Sequence, residues 1–527
     1  MSRRTELQAR WRSMSSNRLT VNAADASAEI SVLDGCLNRV ARGIGRLEQD
    51  LAPGLYKVRV RVGPTVEDEL VSLDQDRTVT KKPTAFPSAI PLTGTSRTHE
   101  YHMGAAIDAS RTPRDALGRG GSVMVFAREW TGQQAKASPQ PANPADGLTF
   151  LSESAGAVDI ATRADLRTQG DASAGWRADV DPGPYRLRLT LSDGTAFERA
   201  LYVSPGQQTQ VFLMRADYAL ADGGVERRAD LAGGGVVISP SQVFQPDDGR
   251  TRLAELARYA LAQKRRALSD EVINDILDEK GEDPMLGLLG AHLLLRDEPE
   301  NHSFFETVIG NLLRLLGPEH PDVHALRLRA SPPPPPAPLS SAPMLRASWD
   351  LAAVDPHTAE VIPETGPTGV IATRILPSAP WLVWSAGAAA GTAQDRAQVL
   401  LELLGDFMKA RDRTLSPEPA TSGLSFGSGI LEGLRSAVSG AAGALRGIDI
   451  LASGKSFGSN PPRSSGSTRT TRFSLPKISF DFGVGHKPAA PEPKPAPPLD
   501  DRDKAELSRT LGLPGHVLED MLKRLSR

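Results

Sequence analysis

The sequence has few cysteines, few aromatic residues and no long apolar run, and each shortage excludes a class of protein. Cys36 is the only cysteine among 527 residues, so neither an internal disulfide nor a cysteine-based zinc site can form. The most membrane-like stretch, from Trp381 to Gly391, is too short and too rich in small residues to span a bilayer. The basic start, MSRRTELQARWRSMSS, lacks the apolar run of a secretory signal. These features predict a cytoplasmic protein without a transmembrane segment.

Neither sign of charge is in excess, with 61 Lys and Arg residues against 63 Asp and Glu residues. A near-neutral chain gives no general reason to expect nucleic acid or an anionic membrane as partner. The length predicts about three to five folded units. Aromatic residues make up only 5% of the chain, while Gly and Pro number 48 and 42, so long stretches are expected to be linkers.

One thirteen-residue pattern occurs twice, as DLAPGLYKVRVRV at Asp50–Val62 and as DVDPGPYRLRLTL at Asp179–Leu191. Pro-Gly predicts a turn, and the strict alternation of apolar and basic residues that follows predicts a half-buried antiparallel strand. The tyrosines and aliphatic residues are expected to face a core, and the basic residues to face water. Neighbouring strand and turn patterns predict two antiparallel β-sandwich domains, at 21–118 and 119–216.

The segments APGLYKVRV (Ala52–Val60) and DPGPYRLRL (Asp181–Leu189) resemble tandem PEGA-type or carboxypeptidase-regulatory-like repeats, which are small bacterial β-sandwiches. The resemblance implies a binding or spacer role and brings no catalytic residues. An insertion rich in Pro, Ala and Gln at 134–147 stands where the family has a strand before the second copy. The rest of the chain is similar to uncharacterised bacterial multidomain proteins that accompany peptidase effectors.

The second half of the chain changes to helical patterns and linkers. Apolar residues at helical spacing predict an α-helical bundle or repeat and a second, mainly helical unit. Polyproline and Ser/Gly/Pro-rich composition predict the linkers between them. The predicted fold class is therefore multidomain, with two β-sandwiches followed by helical units, a disordered linker and a C-terminal helical hairpin. The remaining predicted segments are an N-terminal tail (1–20), the bundle (247–330), a Pro-rich linker (331–342), the mainly helical unit (343–415), the disordered linker (416–500) with an amphipathic segment (430–451), and the hairpin (501–527).

Two short patterns associated with catalysis lie in poor contexts. GLSFG at Gly423–Gly427 matches the nucleophile-elbow pattern, which needs a strand before Ser425 and a helix after it, but it stands in a Ser/Gly-rich stretch. GKS at Gly454–Ser456 has Asp449 where a phosphate-binding loop requires glycine. We interpret the first as a chance match and reject the second.

Histidine pairs are the remaining candidates for metal binding. His99 and His102 are too close for the zinc-protease spacing, while His320 and His324 stand at i and i+4. Two ligands alone make a weak site, so surface histidines at a helix end are the favoured interpretation. Cys36, beside a predicted strand, is interpreted as a small buried residue. The sequence therefore predicts no catalytic residue, no cofactor and no metal.

The favoured hypothesis is a non-enzymatic bacterial scaffold or adaptor that binds proteins through its β-sandwich surfaces and its C-terminal amphipathic helices. Apolar stripes at 431–448 and 507–522 are too short to bury themselves, which is typical of segments that order on docking. A peptidase or effector is among the expected partners, and nucleic acid is not. The residues predicted to contact a partner are Leu431, Leu434, Val438, Leu445, Leu511, Val517, Leu518, Met521 and Leu522.

Two alternatives stand beside this hypothesis. The first is a substrate or regulator of a partner protease in a bacterial regulatory or defence system, cleaved in the exposed, basic linker at 416–500. The second is a hydrolase that uses Ser425 or an unrecognised site, since catalytic groups can be scattered along a sequence.

Overall fold

The computed structural model describes residues 16–25, 27–82, 84–95, 100–129, 143–153, 156–168, 172–220, 223–263, 283–295, 302–372, 374–376, 380–386, 404 and 499–525. Two β-rich units are followed by helices, so the chain has the multidomain, β-then-α organisation that the sequence predicts. The strands are β1 (Asn17–Ala23), β2 (Glu29–Leu33), β3 (Arg39–Ile44), β4 (Arg46–Leu51), β5 (Gly54–Val62), β6 (Thr65–Leu73), β7 (Arg77–Lys81), β8 (Asp115–Ala116), β9 (Gly121–Arg128), β10 (Leu148–Ser152), β11 (Gly156–Asp159), β12 (Asp165–Arg167), β13 (Ser173–Val180), β14 (Gly183–Thr190), β15 (Ala196–Val203), β16 (Gln208–Ala219), β17 (Val225–Ala229), β18 (Gly235–Ser239) and β19 (Val383–Ser385). The helices are α1 (Met103–Arg111), α2 (Ile160–Arg163), α3 (Gly249–Ala262), α4 (Pro284–Leu294), α5 (His302–Leu316), α6 (Pro321–Arg327), α7 (Arg346–Ala353), α8 (Thr358–Val361), α9 (Pro367–Ala372), α10 (Asp501–Leu511) and α11 (Gly515–Leu525).

The first β unit is a single seven-stranded sheet in the order β6-β5-β2-β3-β4-β1-β7. Alternate residues of its strands enter one core, as the period-two pattern of β5 requires. Lys81 Nζ lies 2.8 Å from Glu69 Oε2, and Arg77 donates to the Ser72 carbonyl, so side chains connect the two edge strands β7 and β6. The sheet therefore curls around its core and ends at Lys81, whereas the sequence predicted a two-layer sandwich extending to residue 118.

The second β unit has two sheets that share a core. Their orders are β11-β10-β14-β15-β19 and β12-β13-β9-β16-β17, with β18 added to β16 and β8 added to β13. Phe150 and Tyr185 of the first of these sheets and Trp176 of the other meet in the core, with Phe150 5.2 Å from Trp176 and 5.0 Å from Tyr185 between ring centroids. Burying one face of each sheet against the other removes both apolar faces from water.

Most of the segment between the two β units packs on the second one. Strand β8 pairs in parallel with β13, and Ile90 and Leu92 are buried beside Phe126 of β9. Residues 88–95 and 100–118, which the sequence analysis placed in the first unit, therefore join the second unit, whose strands continue to Ser239, whereas Phe86 lies in the core of the first. Alternation predicts a strand but does not say which sheet a segment joins.

Helix α3 packs against both β units. Leu256 enters the core of the first sheet beside Phe86, and Arg252 pairs with Asp25 at 3.0 Å. Ala257 belongs to the core of the second unit, which continues through α4, α5 and α6. These helices lie in the range predicted for a separate bundle, but their core is continuous with that of the second β unit because α4 is apolar on nearly every side.

Helices α7 to α9 and strand β19 complete this larger body. Strand β19 pairs antiparallel with β15, so the unit predicted at 343–415 contributes a strand to the second β unit. Asp500 caps α10 by accepting from the backbone N–H of Asp503 at 2.7 Å, and α10 ends at Gly512 in the left-handed conformation. Helices α10 and α11 occupy the range predicted for a C-terminal hairpin.

Candidate interaction surfaces

Both copies of the repeated hairpin have the same tyrosine contact. Tyr56 Oη donates to the carbonyl oxygen of Ala52 at 2.8 Å, and Tyr185 Oη donates to that of Asp181 at 2.6 Å. In each copy the acceptor lies four residues earlier, at the start of the turn. In each copy the tyrosine ring is buried in the core, and its hydroxyl hydrogen-bonds the turn, so the turn is held close to the core.

The first copy also has one carboxylate that holds two basic side chains. Asp68 of β6 lies opposite Arg59 of β5, and its carboxylate is 2.7 Å from Arg59 Nε and 2.6 Å from Lys57 Nζ. Hydrogen bonds, first from Arg59 and then from Lys57, lower the pKa of Asp68 to about 2. The two cations are therefore paired on the outer face of the sheet.

The second copy repeats this arrangement with Glu198 of β15. Its carboxylate accepts from Arg186 Nη1 at 3.0 Å and from Arg188 Nε at 2.8 Å. Trp384 of β19 donates its indole N–H to the same carboxylate at 3.1 Å. Since carboxylates hold Lys57, Arg59, Arg186 and Arg188, these four positions do not offer the unpaired cations that a phosphate backbone would bind.

The correspondence between the copies extends beyond the hairpin. The antiparallel order β6-β5-β2-β3 in the first sheet matches β15-β14-β10-β11 in the second unit. The registers agree as well, because Arg59 lies opposite Asp68 as Arg188 lies opposite Glu198. The repeated element is therefore a four-stranded antiparallel unit in which β6 corresponds to β15.

The outer face of β15 is covered by the chain itself. Ala200 is buried in a core shared with α7, α8 and α9, and the Tyr202 ring lies 4.7 Å from His320. At the sheet edge β19 adds a strand, with Trp384 opposite Glu198. This face and edge of the second copy thus hold the helical part of the molecule.

The equivalent face of β6 is exposed. Val66 and Leu70 of β6 are 40% and 67% exposed, and Leu55 of β5 is 57% exposed. Within residues 16–82, β6 pairs with β5 on one side and with no strand on the other. We call the surface formed by Leu55, Val66, Asp68 and Leu70 the β6 face. Apolar groups on an open sheet edge are typical of interaction sites.

The C-terminal hairpin lies against α7 and α8. Trp349 donates its indole N–H to the Gly512 carbonyl at 3.0 Å, and Ser508 Oγ donates to the Ala353 carbonyl at 3.3 Å. Five of the residues predicted to contact a partner lie in this hairpin and are buried or half-buried within the chain: Leu511, Val517, Leu518, Met521 and Leu522. The other four lie outside the described residues: Leu431, Leu434, Val438 and Leu445.

Gly512 is required where the hairpin meets α7. Its φ is +68°, and a Cβ built on it would lie 2.2 Å from Arg346 Nη2. Arg346 is fixed in turn by Asp350 at 2.7 Å and by the Leu376 carbonyl at 3.0 Å. Both the backbone conformation and the close approach therefore exclude a side chain at this position.

A buried serine, histidine and aspartate meet between three helices, and sequence reasoning missed them. His292 Nε2 of α4 lies 2.8 Å from Ser348 Oγ of α7, and Ser348 also hydrogen-bonds Asp322 of α6. Burial lowers the pKa of His292 to about 3 and raises that of Asp322 to about 6. Each of the three residues is 3% exposed or less.

This buried contact differs from a catalytic triad in the position of the serine. In a triad the histidine lies between the serine and the carboxylate, whereas here Ser348 lies between His292 and Asp322. Asp322 also accepts from the backbone N–H groups of Met344 and Leu345, at 2.9 Å each. The arrangement holds the start of α7 against α4 and α6. No sequence motif indicates this contact, because its three residues are spread over 57 positions, from 292 to 348.

The other candidate residues do not come together in a site. His320 is fully buried and caps α6, accepting from the Asp322 N–H at 3.3 Å, so the prediction of a surface histidine there was wrong. Cys36 was predicted to be buried but is exposed, because it lies in the turn that follows β2 rather than in the strand. Within the described ranges no group of three His, Cys, Asp or Glu side chains could hold a metal ion. His99, Ser425 and 454–456 lie outside those ranges.

A polar cleft of about 300 Å³ lies between α1 and β12. Arg167 pairs with Asp108 at 3.0 Å, and Arg114 pairs with Asp165 at 3.2 Å, across its walls. Two of the three arginines that line the cleft, Arg114 and Arg167, are thus paired with carboxylates.

No protein-family model matches the sequence, and no curated protein matches it either. In the part of the chain that the structure describes, every helix is too short or too polar to cross a membrane.

Proposed function

We propose that the protein is a non-enzymatic scaffold that binds other proteins, and that the β6 face is a binding surface. The observation that carries the proposal is the difference between two equivalent faces. The face of β15 holds a strand and several helices of the same chain, whereas the face of β6 leaves Val66 and Leu70 in water. A surface that can bind polypeptide in one copy supports the same use in the other.

The chemistry of the polar groups supports a role without catalysis. Within the described residues, Ser348, His292 and Asp322 bring a nucleophile, an imidazole and a carboxylate together, and this contact is closed to solvent. A reacting group must reach the nucleophile at hydrogen-bond distance, which burial on this scale prevents.

The C-terminal helices have a different part in this proposal from the one predicted. Leu511, Leu518 and Met521 are buried among neighbouring residues of the hairpin, and Trp349 and Ala353 hold the hairpin in place. These apolar residues are therefore occupied within the chain, which makes the β6 face the better surface for a partner.

We also propose that the two repeated units are PEGA-like modules and that the protein is cytoplasmic. The shared tyrosine contact, the bridging carboxylate and the common strand order support a module that has been duplicated. The two sheets around Phe150 and Trp176 support a sandwich in the second unit. The single, exposed cysteine is compatible with a reducing compartment.

Copurification from the native host tests the scaffold proposal. Leu70→Lys replaces an exposed apolar group on the β6 face, and Val225→Lys is the matched control on β17, where Val225 is 69% exposed. We expect partners recovered with the wild type to be reduced about tenfold by Leu70→Lys and unchanged by Val225→Lys. Equal recovery with all three proteins would contradict the proposal.

A further inference from the structure

The second repeat shows what kind of segment its outer edge accepts. Strand β19 runs antiparallel to β15 and places Trp384 opposite Glu198. The indole ring is 3% exposed, and its N–H lies 3.1 Å from Glu198 Oε2. The edge of this repeat therefore binds an extended segment through the backbone of the strand and through one tryptophan.

The bridging carboxylates of the two repeats differ by one donor. Glu198 receives four N–H groups, one from Arg186, two from Arg188 and one from Trp384. Among the described residues Asp68 receives three, two from Arg59 and one from Lys57. An ionised carboxylate has about four acceptor sites, so Asp68 has room for one more donor at the position that Trp384 fills in the other copy.

The surroundings of Asp68 favour a neutral donor with a large apolar body. Lys57 and Arg59 already place two positive charges around one carboxylate, so a third cation would be repelled. Val66 and Leu70 flank Asp68 on the same side of β6, because side chains alternate along a strand. Tryptophan offers both an N–H donor and a wide apolar surface.

Among the strands that the structure describes, none pairs with the outer edge of β6 at the corresponding positions. In the second repeat β19 pairs with residues 197–199, which correspond to 67–69 in β6. Within residues 16–82 the backbone of β6 bonds only to β5, and Arg77 reaches its carbonyl at Ser72, beyond these positions. Lys81 approaches through its side chain, at Glu69. Strand addition to an exposed edge is a common mode of peptide recognition.

We infer that the β6 face binds an extended segment of a partner protein, which adds to β6 and places a tryptophan against Asp68. This inference rests on the proposed scaffold function and names the chemistry of the partner. It follows from the juxtaposition of an open strand edge, an apolar pair and a carboxylate that has one acceptor site left. The backbone of β6 would supply affinity, and the indole contact would supply specificity.

A peptide-binding experiment with the full chain tests the inference. The probe is a labelled synthetic peptide, PWLVWSA, the sequence of residues 380–386. Fluorescence anisotropy is expected to show saturable binding with a Kd below about 1 mM. A peptide with Trp384→Phe is expected to bind about tenfold more weakly, since it lacks the N–H donor to a charged acceptor. No saturable binding by the wild-type chain would overturn the inference.

Variants of the chain locate the binding site. Leu70→Lys is expected to weaken binding about tenfold, Val66→Lys to do the same, and Val225→Lys to have no effect. Circular dichroism of each variant checks that it folds. Two β6 variants are used so that the test remains possible if one of them does not fold. If both β6 variants bind the peptide as tightly as the wild type, the peptide binds at another site, for instance in place of β19, and the inference is overturned.

Two further results separate this inference from the scaffold proposal. If a copurified partner depends on Leu70 while the peptide does not bind, the tryptophan inference fails and the scaffold proposal stands. Sedimentation of the wild type and of Leu70→Lys tests whether a second copy is the occupant. A dimer that Leu70→Lys converts into a monomer would overturn the assignment to a partner protein.

Discussion

Individual buried polar residues in this protein are satisfied by partners that lie far away in the sequence. Asp322 accepts from the backbone of Met344 and Leu345 and hydrogen-bonds Ser348, which in turn contacts His292. Each contact prevents the cost of leaving a polar group buried without a partner. The same principle applies at the sheet edge, where Glu198 has four N–H donors. The hydrogen bonds of these residues therefore hold distant helices and strands together.

The buried imidazole of His292 should make stability depend on pH. Burial lowers its pKa from 6.5 to about 3 in the folded protein, so below about pH 6.5 the unfolded chain binds a proton that the folded chain does not. Stability therefore falls as the pH is lowered through this window. At about pH 5 the histidine alone lowers the free energy of unfolding by about 2 kcal/mol relative to neutral pH.

Urea unfolding near pH 5 and pH 7 measures this effect. His320 acts in the same direction, with its pKa lowered to about 3, whereas Asp322 acts in the opposite direction because its pKa is raised to about 6. The informative quantity is therefore the difference between variant and wild type. We expect His292→Gln to lose less stability on acidification than the wild type, by about 2 kcal/mol. Identical pH dependence in the two proteins would refute the role of His292.

At the scale of elements, two segments from the C-terminal part of the chain complete surfaces formed by earlier residues. Strand β19 extends the sheet beside β15, and helices α10 and α11 pack against α7 and α8. Both segments are short, and short amphipathic elements obtain most of their stability from packing rather than from intrinsic propensity. Their positions depend on a few close contacts, one of which is the approach of Gly512 to Arg346 and Trp349.

Gly512→Ala should release the C-terminal hairpin from α7. A left-handed φ costs a residue with a Cβ about 1–2 kcal/mol, and the clash with Arg346 adds to this. Hydrogen exchange is expected to become faster in α10 and α11 while the β units are unaffected. Gly310→Ala in α5, where the added Cβ would meet no atom within 4 Å outside the adjacent backbone of its own helix, is the matched control. Unchanged exchange in Gly512→Ala would show that the hairpin tolerates the substitution.

At the scale of the whole molecule, the second β unit and most of the helices form one body. Trp381 stacks on the buried Arg199 guanidinium at 4.0 Å and donates to the Gly234 carbonyl at 2.5 Å. Burial lowers the pKa of Arg199 to about 9, so removal of the indole would leave this charge poorly shielded. The core around Trp381 also includes Leu213 and Leu345 from distant parts of the chain.

Trp381→Ala should therefore loosen the second β unit and the helices together. Loss of a buried tryptophan costs about 3–5 kcal/mol. Hydrogen exchange should quicken in β14, β15 and α7 alike and stay unchanged in β2 and β5 of the first sheet. Val370→Ala, at a 56% exposed position, should behave like the wild type. Faster exchange confined to 345–386 would instead indicate the independent unit that the sequence predicts.

The sequence alone determined the local features of this protein. Alternation around Tyr56 and Tyr185 located the repeated strands, Pro-Gly located their turns, and helical spacing located α10 and α11, because each of these signals depends on neighbours within a few residues. The order of β and helical regions followed from the same patterns. The duplicated hairpin was thus recognisable as a structural element from its residues.

The tertiary structure decided which surfaces meet. It joined 88–95 and 100–118 to the second unit, buried His320, exposed Cys36 and covered the hairpin residues Leu511 and Leu518. Such outcomes depend on which element packs against an apolar face. The periodicity of a sequence shows that a face is apolar and must be buried, but it does not show which element buries it. For the same reason, only the folded chain distinguishes the covered face of β15 from the exposed face of β6, although each strand carries a carboxylate that pairs with the basic residues of the repeated hairpin.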